Sequence, residues 1–483
     1  MFPAKSDRRS FFGQVATGLG TTALLQMLGE DVQAEPQPTS TPSRRQYTMS
    51  PRTPHFVPRA TSVIQLFMNG GPSQMDLFDP KPELDKNHGK PFFENISGEV
   101  ENPAAAGALM RSAFGFRQRG QCGMWVSDAL PHLAQCVDEI TLIRSMHTPN
   151  LTHEPALYMA HSGNTLPGLP SMGSWVTYGL GSLNQDLPGY VVLDDPRGLP
   201  INRSQNWQSG YLPPVYQGTR FRSTGSPVLN LQREFEEPDL VTRLERKLIG
   251  TLDRIHQQGH PAQQQLAARI ASYELAARMQ MSATDALDLS RETTSTLNMY
   301  GLNHETTESY GRRCLYARRL VERGVRYVQL FIDSQIWDNH TTLNSSLKTA
   351  CDRTDKPIAG LLKDLKQRGL LDSTLVVWGG EMGRLPIAQL PGDKDEKKAG
   401  RDHNKNAMVC WMAGGGIKCG YTHGATDELG FAAVEDRVSV SDWHATILHL
   451  LGMDHEQLFF RRNGLKEKLT GVNGARVVRK IIA

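Results

Sequence analysis

Thr374-Leu375-Val376-Val377-Trp378-Gly379-Gly380-Glu381-Met382-Gly383-Arg384 is the stretch on which the reading of the fold turns. Its first five residues are an apolar, β-branched run that reads as a buried strand, and the two glycines end it. A carboxylate and a guanidinium follow at once. Nineteen residues after Arg384 comes an imidazole, His403, within Arg401-Asp402-His403-Asn404. Open α/β sheets bind ligands at the carboxyl ends of their strands, so the stretch predicts a site as well as a strand. Taken alone, the same residues also read as a helix-capping Glu, a surface Arg and a loop His.

Working outward, the same signature recurs three times. Residues 62–68 read as a strand that runs into Asn69-Gly70-Gly71-Pro72-Ser73 and then Asp76 and Asp79, the latter a turn carboxylate before Pro80. Residues 140–144 read as a second strand, and the loop after it reaches Thr152-His153-Glu154-Pro155, where a helix begins; amides at such a start attract anions. Residues 325–332 form a third, followed by Asp333 and Trp337-Asp338-Asn339-His340. Shorter strands are expected at 190–193 and 407–412. Helices are expected near 129–136 and over 173–180, 314–323, 342–368 and 442–451, with an all-helical insertion at about 239–310 in which Leu244, Leu248, Leu252 and Ile255 recur every three or four residues. Residues 103–121, rich in Ala and Gly, read as irregular. His444 and His449 sit five apart on the last helix, do not share a face at metal spacing, and read as structural. Strands alternating with helices predict an α/β fold with a mostly parallel central sheet covered on both faces, formed by residues 60–483 as one domain. No GxGxxG, phosphate-binding Gly-Lys-Ser loop or internal repeat is present.

Charge names no partner. Lys and Arg number 53 against 50 Asp and Glu, a net charge of +3, which excludes the strong basic field that nucleic acid or an anionic membrane would call for. The six cysteines contain no C-x-x-C pair, so neither a zinc ribbon nor a thioredoxin-type motif is indicated; most read as buried thiols, with a disulfide open outside the cytoplasm. The N-terminus is more informative. Asp7-Arg8-Arg9-Ser10-Phe11-Phe12 resembles a twin-arginine export signal, an apolar run over 15–28 too short for a stable membrane span follows, and Val32-Gln33-Ala34 offers a cleavage site after Ala34. Residues 1–34 are thus expected to be a signal peptide read by the twin-arginine machinery, residues 35–59 a flexible leader, and the mature protein periplasmic or extracellular.

Carboxylate oxygens and imidazole nitrogens gathered at four strand ends suit a divalent metal ion: zinc or manganese, or with more oxygens calcium or magnesium. Such an ion polarises an ester oxygen and brings the pKa of bound water towards about 7, which makes hydrolysis feasible at neutral pH.

The runs 67–82 (Phe67-Met68-Asn69-Gly70-Gly71-Pro72-Ser73 through Lys81-Pro82), 378–384, 400–404 and 442–452 resemble a secreted, twin-arginine-exported bacterial family, domain of unknown function 1501, which is sulfatase-like and related to the alkaline phosphatase superfamily. The resemblance spans nearly all of the mature chain. It implies an alkaline-phosphatase-like α/β fold with metal held at strand ends, the ligands carried over onto Asp76, Asp338, His340, Glu381 and His403. It also implies departures. Met382 stands where a ligating His would be, which points to one metal rather than a two-zinc site. The Cys- or Ser-x-Pro-x-Arg nucleophile motif is absent, and at the matching turn His153 occupies the nucleophile position, so no formylglycine can form. The expected activity is metal-dependent hydrolysis of sulfate or phosphate esters, small-molecule or glycan. His153 serves as acid, base or further ligand, Arg384 or Arg401 holds the anionic ester, and Thr152 is a minor alternative nucleophile. The alternative is a non-catalytic, metal-containing binding or cell-surface protein that keeps the fold.

Overall fold

The sequence 62–67 alternates side chains that must be buried on both sides: Ile64 and Leu66 enter one hydrophobic core, Val63 and Phe67 the other. Only a central strand covered by helices on both faces satisfies that pattern. The computed structural model describes residues 48–222, 238–260, 264–472 and 474–483, and the strand lies at the middle of a nine-stranded sheet. Its members are β1 (Ser62–Phe67), β2 (Ile140–His147), β3 (Tyr190–Leu193), β4 (Thr219–Phe221), β5 (Tyr327–Phe331), β6 (Thr374–Gly379), β7 (Met408–Ala413), β8 (Tyr421–His423) and β9 (Val438–Ser439). The order is β8-β2-β7-β6-β1-β5-β3-β4, with β9 also pairing β2. Val63 pairs with Tyr327 on one side and Leu375 on the other, both in parallel register. Every pairing is parallel except those of β7, which runs antiparallel to β6 and β2. The fold class expected from the sequence is therefore what the chain adopts.

The longer helices are α1 (His153–Ser162), α2 (Met172–Leu180), α3 (Asp239–Gly259), α4 (Gln264–Leu287), α5 (Glu305–Glu322), α6 (Leu343–Gln367) and α7 (Val440–Leu450). Helices α5 and α6 pack on the Ile64 and Leu66 face, and α1, α2 and α7 on the Val63 and Phe67 face. Helix α7 starts from a reciprocal capping box between Ser439 and Asp442. Within the helical insertion, α4 contributes Met279, Ala283, Ala286 and Leu287 to the first core.

Four readings of the sequence are corrected. Residues 103–121 are not irregular: Ala106–Leu109 pairs with Ile387–Gln389, and Phe116–Arg119 with Met124–Ser127. The helix near 129–136 shrinks to a 3-10 turn at Leu133–Gln135. The strand at 140–144 extends to His147 because β7 and β9 give it partners along its whole length. Residues 48–59, expected as free leader, are fastened to the body: Arg52 N–H donates to Leu180 O at 2.9 Å, its guanidinium to Tyr216 Oη at 2.7 Å, and Arg59 N–H to Leu450 O at 2.8 Å. The expected signal peptide and the first part of the leader lie outside the described residues. Among the described residues no helix is long and apolar enough to cross a membrane. All six cysteines are unpaired thiols, four of them buried, with Cys122 and Cys419 exposed.

The topology sets the site. Strands β1, β2, β5 and β6 end at one edge, and β7, being antiparallel, begins there. The loops that follow the first four and the segment that precedes the fifth therefore meet.

Candidate metal centre

Asp338 is the meeting point. It lies seven residues beyond β5, in a loop tied to the end of β1 by the Trp337 N–H donating to Asn69 O at 3.1 Å. Three imidazoles face it through the same ring atom. His340 Nε2 lies 2.8 Å from Asp338 Oδ1, His403 Nε2 3.3 Å from Oδ1, and His153 Nε2 3.3 Å from Oδ2. His153 is the first residue of α1, His403 lies on a two-residue strand that pairs with Gly383–Arg384, and His340 lies two residues after Asp338 in the same loop. Ligand atoms from all four residues lie within 4.8 Å of one another.

The opposite nitrogen of each ring has its own partner. His153 Nδ1 donates to Glu381 Oε1 at 2.8 Å, and His340 Nδ1 to Gln389 Oε1 at 2.5 Å. His403 Nδ1 makes an ion-pair contact with the Glu101 carboxylate. An amide oxygen can only accept, so Gln389 takes the Nδ1–H of His340 and leaves Nε2 as the ring atom directed at Asp338. Glu381 likewise accepts from Nδ1 of His153. Acceptors behind the far nitrogen are how metal-binding histidines are oriented. The Glu381 carboxylate is itself held by the Gly70 N–H, at 2.9 and 3.2 Å to its two oxygens. Gly70 has φ +108°, and a Cβ there would stand 2.4 Å from Asp338 N, so only glycine fits.

The electrostatics of the cluster centre on the Asp338 carboxylate. Burial opposes ionising Asp338, but contacts with His153, His340 and His403, and the charge of Arg384, hold its carboxyl far below the usual range. Burial pulls the His153 imidazole down, yet bonds to Asp338 and Glu381 outweigh it and raise the ring to about 9. His340 is raised in the same way by Asp338, against burial. Two observations fit a metal ion. His153 Nε2 is buried with no aligned hydrogen-bond partner, and a tetrahedral shell with bonds of about 2.0–2.1 Å puts its ligand atoms about 3.3 Å apart, inside the 4.8 Å that bounds the separations here. The site opens to solvent on one side: the side chains of His340 and Asp338 are 31% and 19% exposed, against 3% for His403.

The other expected site residues are placed differently. Asp76 is not with the cluster. It forms a fully buried ion pair with Arg401, whose Nε and Nη2 donate to its two oxygens at 2.7 and 3.3 Å, and it accepts from Ser73. A guanidinium with no exposure needs that carboxylate. Arg401 therefore faces Asp76, Leu385 O and Met110 O and not a substrate. Arg384 is also buried: it donates to Asp338 Oδ1 at 2.6 Å, to Gly71 O at 3.0 Å, to Arg401 O at 3.1 Å and to Gly70 O, which makes it a clamp on the loops below Asp338. Glu381 stands behind His153 and outside the four-residue cluster. Thr152 is the exposed N-cap of α1, next to His153 in sequence. His444 is buried, its Nε2 donating to Ala160 O at 2.9 Å, in keeping with a structural residue. Gln389 and Glu101 carried no sequence signal. Neither sits after a sheet strand in a recognisable motif, and each acts only through the ring it holds.

No curated protein sequence matches the chain. Among solved structures it is similar to the lipoteichoic acid synthase LtaP from Listeria monocytogenes, with 11% identity over 87% of this chain and 76% of that one and a TM-score of 0.35. It is also similar to the PsFucS1 sulfatase from Pseudoalteromonas sp., with 11% identity, 82% and 69% coverage and a TM-score of 0.34. The alkaline phosphatase from the Antarctic bacterium TAB5 matches at 12% identity, 83% and 99% coverage and a TM-score of 0.34. These likenesses are remote, and the α/β assignment stands on the sheet and its two helix layers. Residues 60–482 match the family described as "Protein of unknown function (DUF1501)", and the chain belongs to that family.

Proposed function

We propose that the protein is an exported, sulfatase-like, metal-dependent hydrolase of sulfate or phosphate esters. The observation that carries this reading is the convergence of three imidazole Nε2 atoms on Asp338, with Glu381 and Gln389 fixing the proton of two of the rings on the far nitrogen. Asp338, His153, His340 and His403 would hold one divalent ion. That ion would supply Lewis-acid polarisation of an ester oxygen and acidify water at neutral pH. The chain's own residues do the positioning. Glu381 keeps the His153 proton at Nδ1, Gln389 keeps the His340 proton at Nδ1, and Arg384 fixes the Asp338 carboxylate against the β1 loop. The partly exposed side at His340 and Asp338 is where an anionic ester, small-molecule or glycan, would approach. Export through the twin-arginine machinery to the periplasm or beyond belongs to the same proposal and is supported by Arg8-Arg9, the apolar run after them and the Val32-Gln33-Ala34 site.

A second reading has a specific observation in its favour. Arg384 and Arg401, the two cations expected to grip the ester, both have their guanidinium groups engaged inside the protein. A metal-containing binding or cell-surface protein that does not turn over its ligand would have no use for a free guanidinium there. Elemental analysis of the purified protein, followed by assays with an aryl sulfate and an aryl phosphate, separates the two. A bound metal with turnover abolished by His153→Ala supports the hydrolase. A bound metal with no turnover of either ester supports the binding protein, and neither metal nor turnover removes both.

A further inference from the structure

Helix α3 carries an apolar stripe that nothing among the described residues covers. Val241, Leu244, Leu248, Leu252 and Ile255 are 41, 57, 60, 45 and 50% exposed, and Leu240 and Ile249 beside them are 60 and 57% exposed. An amphipathic helix normally turns such a face to a core, and contiguous apolar patches of this size mark interaction surfaces. The five residues of the stripe are symmetric along the helix. Val241 and Ile255 lie seven residues before and after Leu248, and Leu244 and Leu252 four before and after it. A second α3 laid antiparallel across a twofold axis at Leu248 therefore puts Leu248 on Leu248, Leu244 on Leu252 and Val241 on Ile255. A self-complementary patch of this kind is what a closed twofold interface requires.

We infer that α3 is the contact by which two copies of this chain pair, antiparallel and centred on Leu248. The seven side chains expose roughly 600 Å² per copy, so pairing removes at most about 1,200 Å², the lower end for a specific, stable interface. The symmetry of the stripe singles out a copy of itself as the partner. The polar groups at the rim, Glu245, Lys247, Asp253 and Arg254, are of both signs, which suits a like helix better than a surface of one charge.

The test uses the full chain. Sedimentation velocity at micromolar concentration is expected to give the mass of two chains, and Leu248→Glu, which sets two carboxylates against each other on the axis, to give the mass of one with unchanged circular dichroism. In a Cys122→Ser, Cys419→Ser background, Leu248→Cys treated with oxidised glutathione is expected to link two chains through one disulfide. Val241→Cys is expected not to, because its copy would lie about 20 Å away along the paired helices. A native chain of single mass overturns the inference, whether or not it floats with anionic vesicles. So does a dimer that survives Leu248→Glu, or a cross-link that forms as readily at Val241→Cys as at Leu248→Cys.

Discussion

His153 Nδ1 lies 2.8 Å from Glu381 Oε1, and the carboxylate that receives it is held in turn by the Gly70 N–H. One hydrogen bond therefore joins the start of α1 to the end of β6, and a second joins β6 to the end of β1. The orientation of His153 depends on both. Glu381→Gln keeps the shape but removes the charge and one acceptor oxygen. Metal affinity is expected to fall by about 10-fold, at the lower end of what loss of a group behind a ligating histidine costs. Competition against a chromophoric chelator measures it, and unchanged affinity would show that His153 needs no support from Glu381.

Asp76 and Arg401 make the opposite kind of pair, buried and internal. Asp76→Ala leaves a guanidinium without exposure and without a counter-charge, and is expected to cost about 3–5 kcal/mol in urea unfolding. The metal content of the folded fraction should not change. Loss of metal with little loss of stability would return Asp76 to the ligand set.

Gly70→Ala tests the close approach of the β1 loop to Asp338. The added methyl meets the Asp338 backbone nitrogen, and the positive φ is strained for any residue with a side chain, so a loss of at least about 1–3 kcal/mol is expected. Because the clash displaces Asp338, metal affinity should fall with it. A stable variant with native affinity would contradict the packing described at this loop.

Two buried histidines set an acid limit on stability. Burial depresses His161 to about 3, with help from nearby His444, and burial depresses His444 to about 4. Both are neutral in the fold and titrate near 6.5 when unfolded, so unfolding takes up protons once the pH falls below about 6.5. Their contribution is fully present above that pH and is lost as pH falls towards the folded values, at about 1.4 kcal/mol per pH unit for each ring. His153, raised to about 9, acts in the opposite sense and in the different window from 6.5 to about 9. Urea midpoints that stay level between pH 6.5 and 5 would contradict this.

What the sequence made legible follows from where the determinants lie. Strands β1, β5 and β6 are written in consecutive residues because both faces of each are buried, so an apolar run suffices to find them. His153, Asp338, His340 and His403 could be picked out because each lies within ten residues of a strand of the central sheet, and the sheet brings such segments to one edge. Their common edge also needed β7 to be antiparallel, which its residues do not announce. Asp76 and Arg401 were misread because each looked like a strand-end group on its own, and only their pairing across 325 residues shows that they answer each other. Gln389 and Glu101 were invisible for a related reason. Ile387–Gln389 is held as a strand by Ala106–Leu109, some 280 residues earlier, so neither propensity nor motif marks it.

Asp338, His153, His340 and His403 are proposed to form one metal site. Equilibrium dialysis of the purified chain against zinc and manganese, followed by elemental analysis, is the decisive measurement, with His340→Ala as the comparison because that ring is the most exposed of the three and its loss should leave the fold intact. The expected result is close to one ion per chain in the native protein and a large loss in His340→Ala. No bound ion in the native protein, or equal binding in the variant, would rule out a metal site at these residues.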